Sequence, residues 1–297
     1  MGLRRFVRQT NVWMTYAAVA LIALGITAWP ARAEEPWQEL PPTPKLPEGT
    51  QGHIAEIRGA RIWYAEWSPR STGIPILLLH GGFGNSNYFG NLVPLLVKKG
   101  YRVIAMDSPG HGRSTRANEP LTYHLMAEDV IGLLDVLHIH HVSLVGWSDG
   151  GIIGFDLAIN YPGRLASLFA FGANSVISGE IDGGDQSPVF AAYRARVQGE
   201  YRDLSPTPGQ FASFESAMNT MWNTLPDYTT EQLRSIRVPT TIADGEHDEV
   251  VKIEHTKYLA TTIHGARLVI LPNVSHFALL QNPAAFNAAV LESLPHH

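Results

Sequence analysis

The amino-acid sequence predicts an α/β domain: a mostly parallel sheet flanked by helices, with a helical cap inserted between two strands. Three observations carry that expectation. Short, predominantly apolar runs recur at 76–79, 142–145 and 165–171, as strands covered on both faces require. Stretches of helical length separate these runs, which implies parallel neighbours joined by crossover helices. At 175–237 the alternation stops, and Asp182-Gly183-Gly184-Asp185, Pro206 and Pro208 stand among apolar residues such as Phe211, Phe214, Met218, Met221 and Trp222. That stretch reads as the cap.

In chain order, residues 1–33 read as a secretory signal peptide. Arg4, Arg5 and Arg8 make a basic start, an apolar run follows over 12–28, and Ala31-Arg32-Ala33 offers a small-residue cleavage site before Glu34. The alternative is an uncleaved anchor, but an apolar run of about 17 residues is at the short limit for crossing a bilayer. The expected location is therefore secreted or periplasmic, with no stable membrane anchor after cleavage. Residues 34–50, with Pro36, Pro41, Pro42, Pro44 and Pro47, read as an extended Pro-rich leader or linker.

Residues 51–297 hold the main domain. Runs at 53–57 and 61–67 flank Gly59-Ala60 and predict a β-hairpin. A strand at 76–79, a helix over 87–99, a strand at 102–106, a helix over 121–137, a strand at 142–145, a helix over 152–161 and a strand at 165–171 follow. After the cap come a strand at 240–243, a helix near 254–262, a strand at 268–271 and a last helix near 283–294.

Composition narrows the function. Hydrophobic residues make up 45% of the chain and charged residues 16%, so a folded core is expected. The formal net charge is −5, and cleavage before Glu34 would remove four of the 22 basic residues and none of the 27 acids, leaving −9. Nucleic acid is thereby excluded as a main partner. Cysteine is absent, which excludes disulfides, thiolate metal sites and a cysteine nucleophile.

The strongest chemical signal is Gly146-Trp147-Ser148-Asp149-Gly150-Gly151, directly after a buried strand and before a helix. A G-x-S-x-G sequence in that setting places the serine on a sharp strand-to-helix turn, beside helix amides that favour developing negative charge. Ser148 is the expected nucleophile. It needs a base, and His276, in the loop between the strand at 268–271 and the last helix, can return to it across the sheet edge. The orienting acid belongs between them in chain order. Asp244-Gly245-Glu246-His247-Asp248 follows the strand at 240–243. Asp248, past the Gly245 turn, is preferred; Asp244 lies nearer the strand and suits a structural role, and Glu246 is a third candidate. His80-Gly81-Gly82-Phe83-Gly84 follows the strand at 76–79, where an oxyanion loop should lie, and the amide of Gly82 or Phe83 would pair with that of Asp149.

These pieces together resemble the α/β-hydrolase superfamily over roughly 52–295, and within it the valacyclovir hydrolase (biphenyl-hydrolase-like) family. Gly146-Trp147-Ser148-Asp149-Gly150-Gly151, Gly172-Ala173-Asn174 and Gly245-Glu246-His247-Asp248 carry that likeness. The resemblance implies an eight-stranded sheet, a Ser148–Asp248–His276 triad and a structural loop at Asp107-Ser108-Pro109-Gly110-His111-Gly112-Arg113-Ser114. It also implies that the acid beside the nucleophile, here Asp149, binds a substrate ammonium such as that of an α-amino acid ester; the other role open to Asp149 is to bond the nearby loop or cap.

His138-Ile139-His140-His141 lies between a helix and a buried strand and reads as a polar connection. Trp222, Phe211 and Phe214 are expected to pack the cap, with one or two of them lining the acyl pocket. The expected activity is that of a serine hydrolase cleaving a small-molecule carboxylic ester or amide through an acyl-enzyme, without metal or organic cofactor. Aminopeptidase-like or carbon–carbon bond hydrolysis on the same triad, and non-catalytic ligand binding, are the alternatives.

Overall fold

A hairpin opens the sheet. Strands β1 (Gly52–Ile57) and β2 (Ala60–Trp67) pair antiparallel across Arg58 and Gly59, whose φ angles of 51° and 80° give the left-handed turn that matches strand twist. The other strands are β3 (Ile76–Leu79), β4 (Val103–Met106), β5 (Val142–Trp147), β6 (Leu165–Phe171), β7 (Thr240–Gly245) and β8 (Arg267–Leu271). They form one eight-stranded sheet in the order β1-β2-β4-β3-β5-β6-β7-β8. β2 joins β4 antiparallel, and every later pairing is parallel. This computed structural model describes residue 2 and residues 35–295. The signal assigned to 1–33 and the closing His296 and His297 otherwise lie outside the described residues.

The expected α/β architecture is borne out strand by strand. Every residue of β3, β4, β5 and β7 is buried, because helices cover both faces of a parallel sheet. The helices are α1 (Val93–Lys98), α2 (Tyr123–Val136), α3 (Asp149–Asn160), α4 (Pro188–Leu204), α5 (Phe211–Trp222), α6 (Thr230–Ser235), α7 (Ile253–Thr262), α8 (Ala278–Gln281) and α9 (Pro283–Ser293). α4, α5 and α6 lie between β6 and β7 and form the cap.

Two of the expected helices are divided or shifted. The helix expected over 87–99 is divided into a 3₁₀ turn, Ser86–Phe89, and the short α1. Gly90 follows the turn and Pro94, with no N–H to donate, sits in the first turn of α1, where that loss costs nothing. The helix expected from 152 begins at Asp149, immediately after the serine. The glycines at 150 and 151 lower helix propensity, but the packing of α3 on β5 and β6 overrides it.

The Pro-rich segment, expected to be extended, opens with a 3₁₀ turn at Pro36–Gln38 and is extended beyond it, lying along the domain with the Leu40 and Pro41 carbonyls accepting from the Arg196 guanidinium of α4 at 2.8 and 2.6 Å. Among the described residues, no helix is long and apolar enough to cross a membrane.

Candidate active site

The carboxyl ends of the parallel strands carry the chemistry. β5 ends at Trp147, and Ser148 follows with φ 54° and ψ −121° before α3 begins. A positive φ at a non-glycine residue costs about 1–3 kcal/mol and persists only where surrounding structure enforces it. Here the enforcement is visible. The Ser148 amide donates to Phe171 O at 2.7 Å, and Ser148 O accepts from the Gly151 and Ile152 amides. A Cβ at Gly146 would lie 2.3 Å from Gly150 O, and one at Gly150 would lie 2.1 Å from Leu79 O. Neither position tolerates a side chain, so the spacing of the two glycines follows from the closeness of the turn.

His276 lies in the loop between β8 and α8 and is 2% exposed. Its Nδ1–H donates to Asp248 Oδ2 at 2.7 Å. A carboxylate can only accept here, so this bond leaves Nε2 as the free, proton-accepting nitrogen. Asp248 is itself held: its Oδ1 accepts from the Val250 and Val251 amides at 2.7 and 2.8 Å. Trp147 Nε1–H donates to His276 O at 2.9 Å and the His276 amide to Glu249 Oε2 at 3.2 Å. Burial alone would lower the His276 pKa, but the charge and hydrogen bond of Asp248, with Glu249 and Asp149, raise it above the ordinary value. Burial would likewise raise Asp248, and the adjacent imidazole brings it below its ordinary value.

The structure separates the candidate acids. Asp244 is 0% exposed at the end of β7, accepts from the Gly245 amide at 2.9 Å and the Thr256 hydroxyl, and touches Asp248 rather than His276. Burial and then the Asp248 charge push its pKa well up, so the shared negative charge is favoured on Asp248, beside the imidazole. Glu246 accepts from the Asn273 amide at 3.1 Å, away from the His276 ring.

Ser148, His276, Gly82 and Asp149 line one cavity of about 590 Å³. Asp149 is the first residue of α3, where amides have no intrahelical acceptor. The His80–Gly84 loop runs against the serine, since a Cβ at Gly81 would meet Ser148 Cβ at 2.9 Å. His80 donates from Nδ1 to Gly81 O and accepts the Ser108 amide at Nε2, so one tautomer serves both bonds and ties this loop to the one after β4. Tyr193 of α4 donates to Gly82 O at 2.7 Å. These bonds turn the Gly82 carbonyl toward the cap. Phe83, with φ 60°, is buried against Phe211, Phe214 and Trp222.

The side chain of Asp149 is 6% exposed as part of a nearly buried residue, and two neighbours use it. Tyr123 donates to its Oδ1 at 2.9 Å, and Trp222 of α5 donates to Oδ2 at 3.1 Å. Burial pushes its pKa to about 6, and these two bonds hold it from going higher. Trp222 also lines the cavity, whereas Phe211 and Phe214 pack within the cap against Tyr201. Among the wall residues that sequence reasoning missed are Glu180 and Arg194. Glu180 accepts from Asn174 Nδ2 at 3.0 Å, and burial, then the charge of Asp149, push its pKa to about 7. Arg194 is committed to Glu215 at 2.5 Å and lies over the Phe83 ring. No sequence pattern marks either, because both come from the cap, whose register cannot be read from periodicity.

Asp107 is a structural hub. It accepts from the Ser86 and Arg113 amides, and Ser114 closes the loop by donating to Asp107 O. His111 packs its ring on Phe214. His138, His140 and His141 are exposed around buried Ile139 in the α2–β5 connection. Among the described residues, no group of three or more His, Asp or Glu is placed to hold a metal ion.

A family model described as alpha/beta hydrolase fold matches residues 74–225. A 2-hydroxy-6-oxononadienedioate/2-hydroxy-6-oxononatrienedioate hydrolase of Comamonas testosteroni is 28% identical over 290 residues, covering 84% of this chain and 98% of that one. The human serine hydrolase BPHL is 27% identical over 245 residues, covering 78% of this chain and 82% of its own. Among solved structures, the meta-cleavage product hydrolase of Pseudomonas fluorescens IP01 superposes with a TM-score of 0.68 at 21% identity, over 82% of this chain and 97% of that one.

Proposed function

The chain belongs to the α/β-hydrolase fold family, and from that premise we propose that this hydrolase is a serine esterase working through an acyl-enzyme. One observation carries the reading: the His276–Asp248 bond of 2.7 Å leaves Nε2 free as a base, in the cavity that Ser148 also lines. His276 takes the Ser148 proton as Oγ attacks the ester carbonyl. The amides of Asp149 and of Gly82 or Phe83 receive the oxyanion. The leaving alcohol departs with the proton from His276, and water activated by the same imidazole then releases the acid.

The cavity wall bears on the substrate. Asp149, Glu180, Asp182 and Asp185 face it, and the guanidinium of its Arg194 is already paired. Such a wall disfavours an anionic acyl group and favours a neutral or cationic one. Exposed Ile177 and Ile181 at 40% and 37% add an apolar lip. An ester of an α-amino acid, its ammonium toward Asp149, fits this pattern. The Comamonas relative supports a second reading, carbon–carbon bond hydrolysis, but its named substrate is a dioate, two negative charges that would meet the carboxylate wall.

A hydrolysis panel of p-nitrophenyl acyl esters, α-amino acid esters, aminoacyl naphthylamides and a ring-cleavage dienoate tests the proposal. Ester turnover lost in Ser148→Ala, with a preference for the aminoacyl esters that Asp149→Ala abolishes, supports it. Dienoate turnover exceeding that of every ester would replace the ester reading with the second one. For location, the basic start, apolar run and A-x-A site of residues 1–33 support export.

A further inference from the structure

Residues 35–43 do more than precede the domain. Trp37 stacks on His247 with ring centroids 3.8 Å apart and planes 13° from parallel. His247 adjoins Asp248, and its amide donates to Val274 O at 3.0 Å, in the loop that carries His276. On the other side of the same segment stands Gln281, the last residue of α8. The two hydrogens on its Nε2 are shared among Trp37 O at 3.2 Å, Glu39 O at 2.9 Å and Ser275 Oγ at 3.0 Å, while its Oε1 accepts from the Ser275 amide at 2.7 Å. One amide side chain thus joins this segment to the residue preceding His276.

The segment is fastened at its far end as well. Arg196 of α4 donates to the Leu40 and Pro41 carbonyls. Thr43 donates to Glu200 of the same helix, and Asn85, just past the His80–Gly84 loop, donates to the other oxygen of Glu200 at 3.0 Å. Pro41, Pro42 and Pro44 keep the span extended at little entropic cost.

We propose that residues 35–43 form a strap that positions the His276–Asp248 pair, with Trp37 and Gln281 as positioning residues. The acid and the base lie on separate loops after β7 and β8, and a 2.7 Å bond between loops tolerates little relative movement. The strap ties both loops to the cap helix α4, which in turn bonds Gly82 O through Tyr193. Misplacement of a reacting group by about 1 Å can cost on the order of 10²-fold in rate.

The proposal rests on Ser148 being the nucleophile, so the test carries a readout that does not. Full-length Trp37→Ala, Trp37→Phe and Gln281→Ala are titrated with a fluorophosphonate, and kcat is expressed per labelled site. The low-field proton resonance of His276 Nδ1–H is recorded for each. Trp37→Ala and Gln281→Ala should each lower kcat per site roughly 10-fold with KM changed less than about twofold, the split expected when a transition-state contact is loosened. Both should shift or broaden the resonance, and Trp37→Phe, which keeps the stack, should restore both readouts. Loss of melting temperature or of labelled fraction alone, with kcat per site and the resonance unchanged, would overturn the strap. A wild-type protein that takes no label while Trp37→Ala still perturbs the resonance would overturn the Ser148 reading and leave the strap standing.

Discussion

Replacing Asp248 by Asn inverts the imidazole rather than merely removing a charge. Asp248 Oδ1 accepts from two backbone amides, Val250 and Val251. An Asn at this position must keep its carbonyl oxygen there, because turning the NH₂ toward two donors would leave both unsatisfied in a buried place. At about 1–3 kcal/mol for each orphaned group, that orientation is held by roughly 2–6 kcal/mol. The NH₂ then faces His276 Nδ1, which must accept, so the proton moves to Nε2 and the nitrogen nearest the substrate ceases to be a base. The expected loss in kcat for a p-nitrophenyl ester is about 10³–10⁴-fold, or ~4–5.5 kcal/mol of barrier. Asp244→Asn, which leaves the His276 partner in place, should cost far less, because Asp244 touches Asp248 and Thr256 rather than His276. Steady-state kinetics at a pH above the His276 pKa, with folding checked by circular dichroism, reads both variants. Asp248→Asn retaining a tenth of wild-type kcat, or Asp244→Asn matching its loss, would refute the assignment of Asp248.

Four further outcomes can be measured. His276 must be neutral to act as a base and its pKa is raised above the ordinary 6.5 by Asp248, Glu249 and Asp149 acting against burial; kcat/KM should therefore fall as pH drops through a midpoint above 6.5, and Asp149→Asn should move that limb to lower pH. The ratio of kcat/KM for an α-amino acid ester to its desamino analogue cancels the His276 titration and should decline as pH falls through about 6, where Asp149 gains a proton. Gly150→Ala sets a Cβ 2.1 Å from a backbone oxygen, and ~1–3 kcal/mol of overpacking in a domain this size should lower the melting temperature by roughly 2–12 °C in calorimetry. N-terminal sequencing of exported protein should begin at Glu34; an intact Met1 in a membrane fraction would contradict the cleavage assigned to Ala31-Arg32-Ala33.

The parts of this fold legible in sequence are those where burial dictates residue type. The apolar runs at 76–79 and 165–171 coincide with β3 and β6 residue for residue, because strands covered on both faces admit little else. β5 runs on to Trp147, since Gly146 and Trp147 still pair with β6, and a glycine beside a serine turn hid that continuation. α8, four residues long, is too short for any periodicity to register. Ser148, His276 and Asp248 could be singled out because each sits at a strand end with a local reason to be there. The bonds that Trp222 and Tyr123 make to Asp149 could not be read there. The two side chains converge from α5 and α2, and only the tertiary fold relates those helices. The engagement of Trp37 with His247 and of Gln281 with the Trp37 carbonyl is illegible for the same reason, at separations of more than 200 residues.

Trapping of the covalent intermediate bears most directly on the proposed reaction. The wild-type protein is quenched in acid during turnover of a slow p-nitrophenyl ester, digested, and its peptides weighed. An acyl mass increment on the peptide containing Ser148, absent in Ser148→Ala and strongly reduced in His276→Ala, which lacks the base that activates the serine, is the predicted result. An increment on another peptide, or full ester turnover by Ser148→Ala, would contradict it.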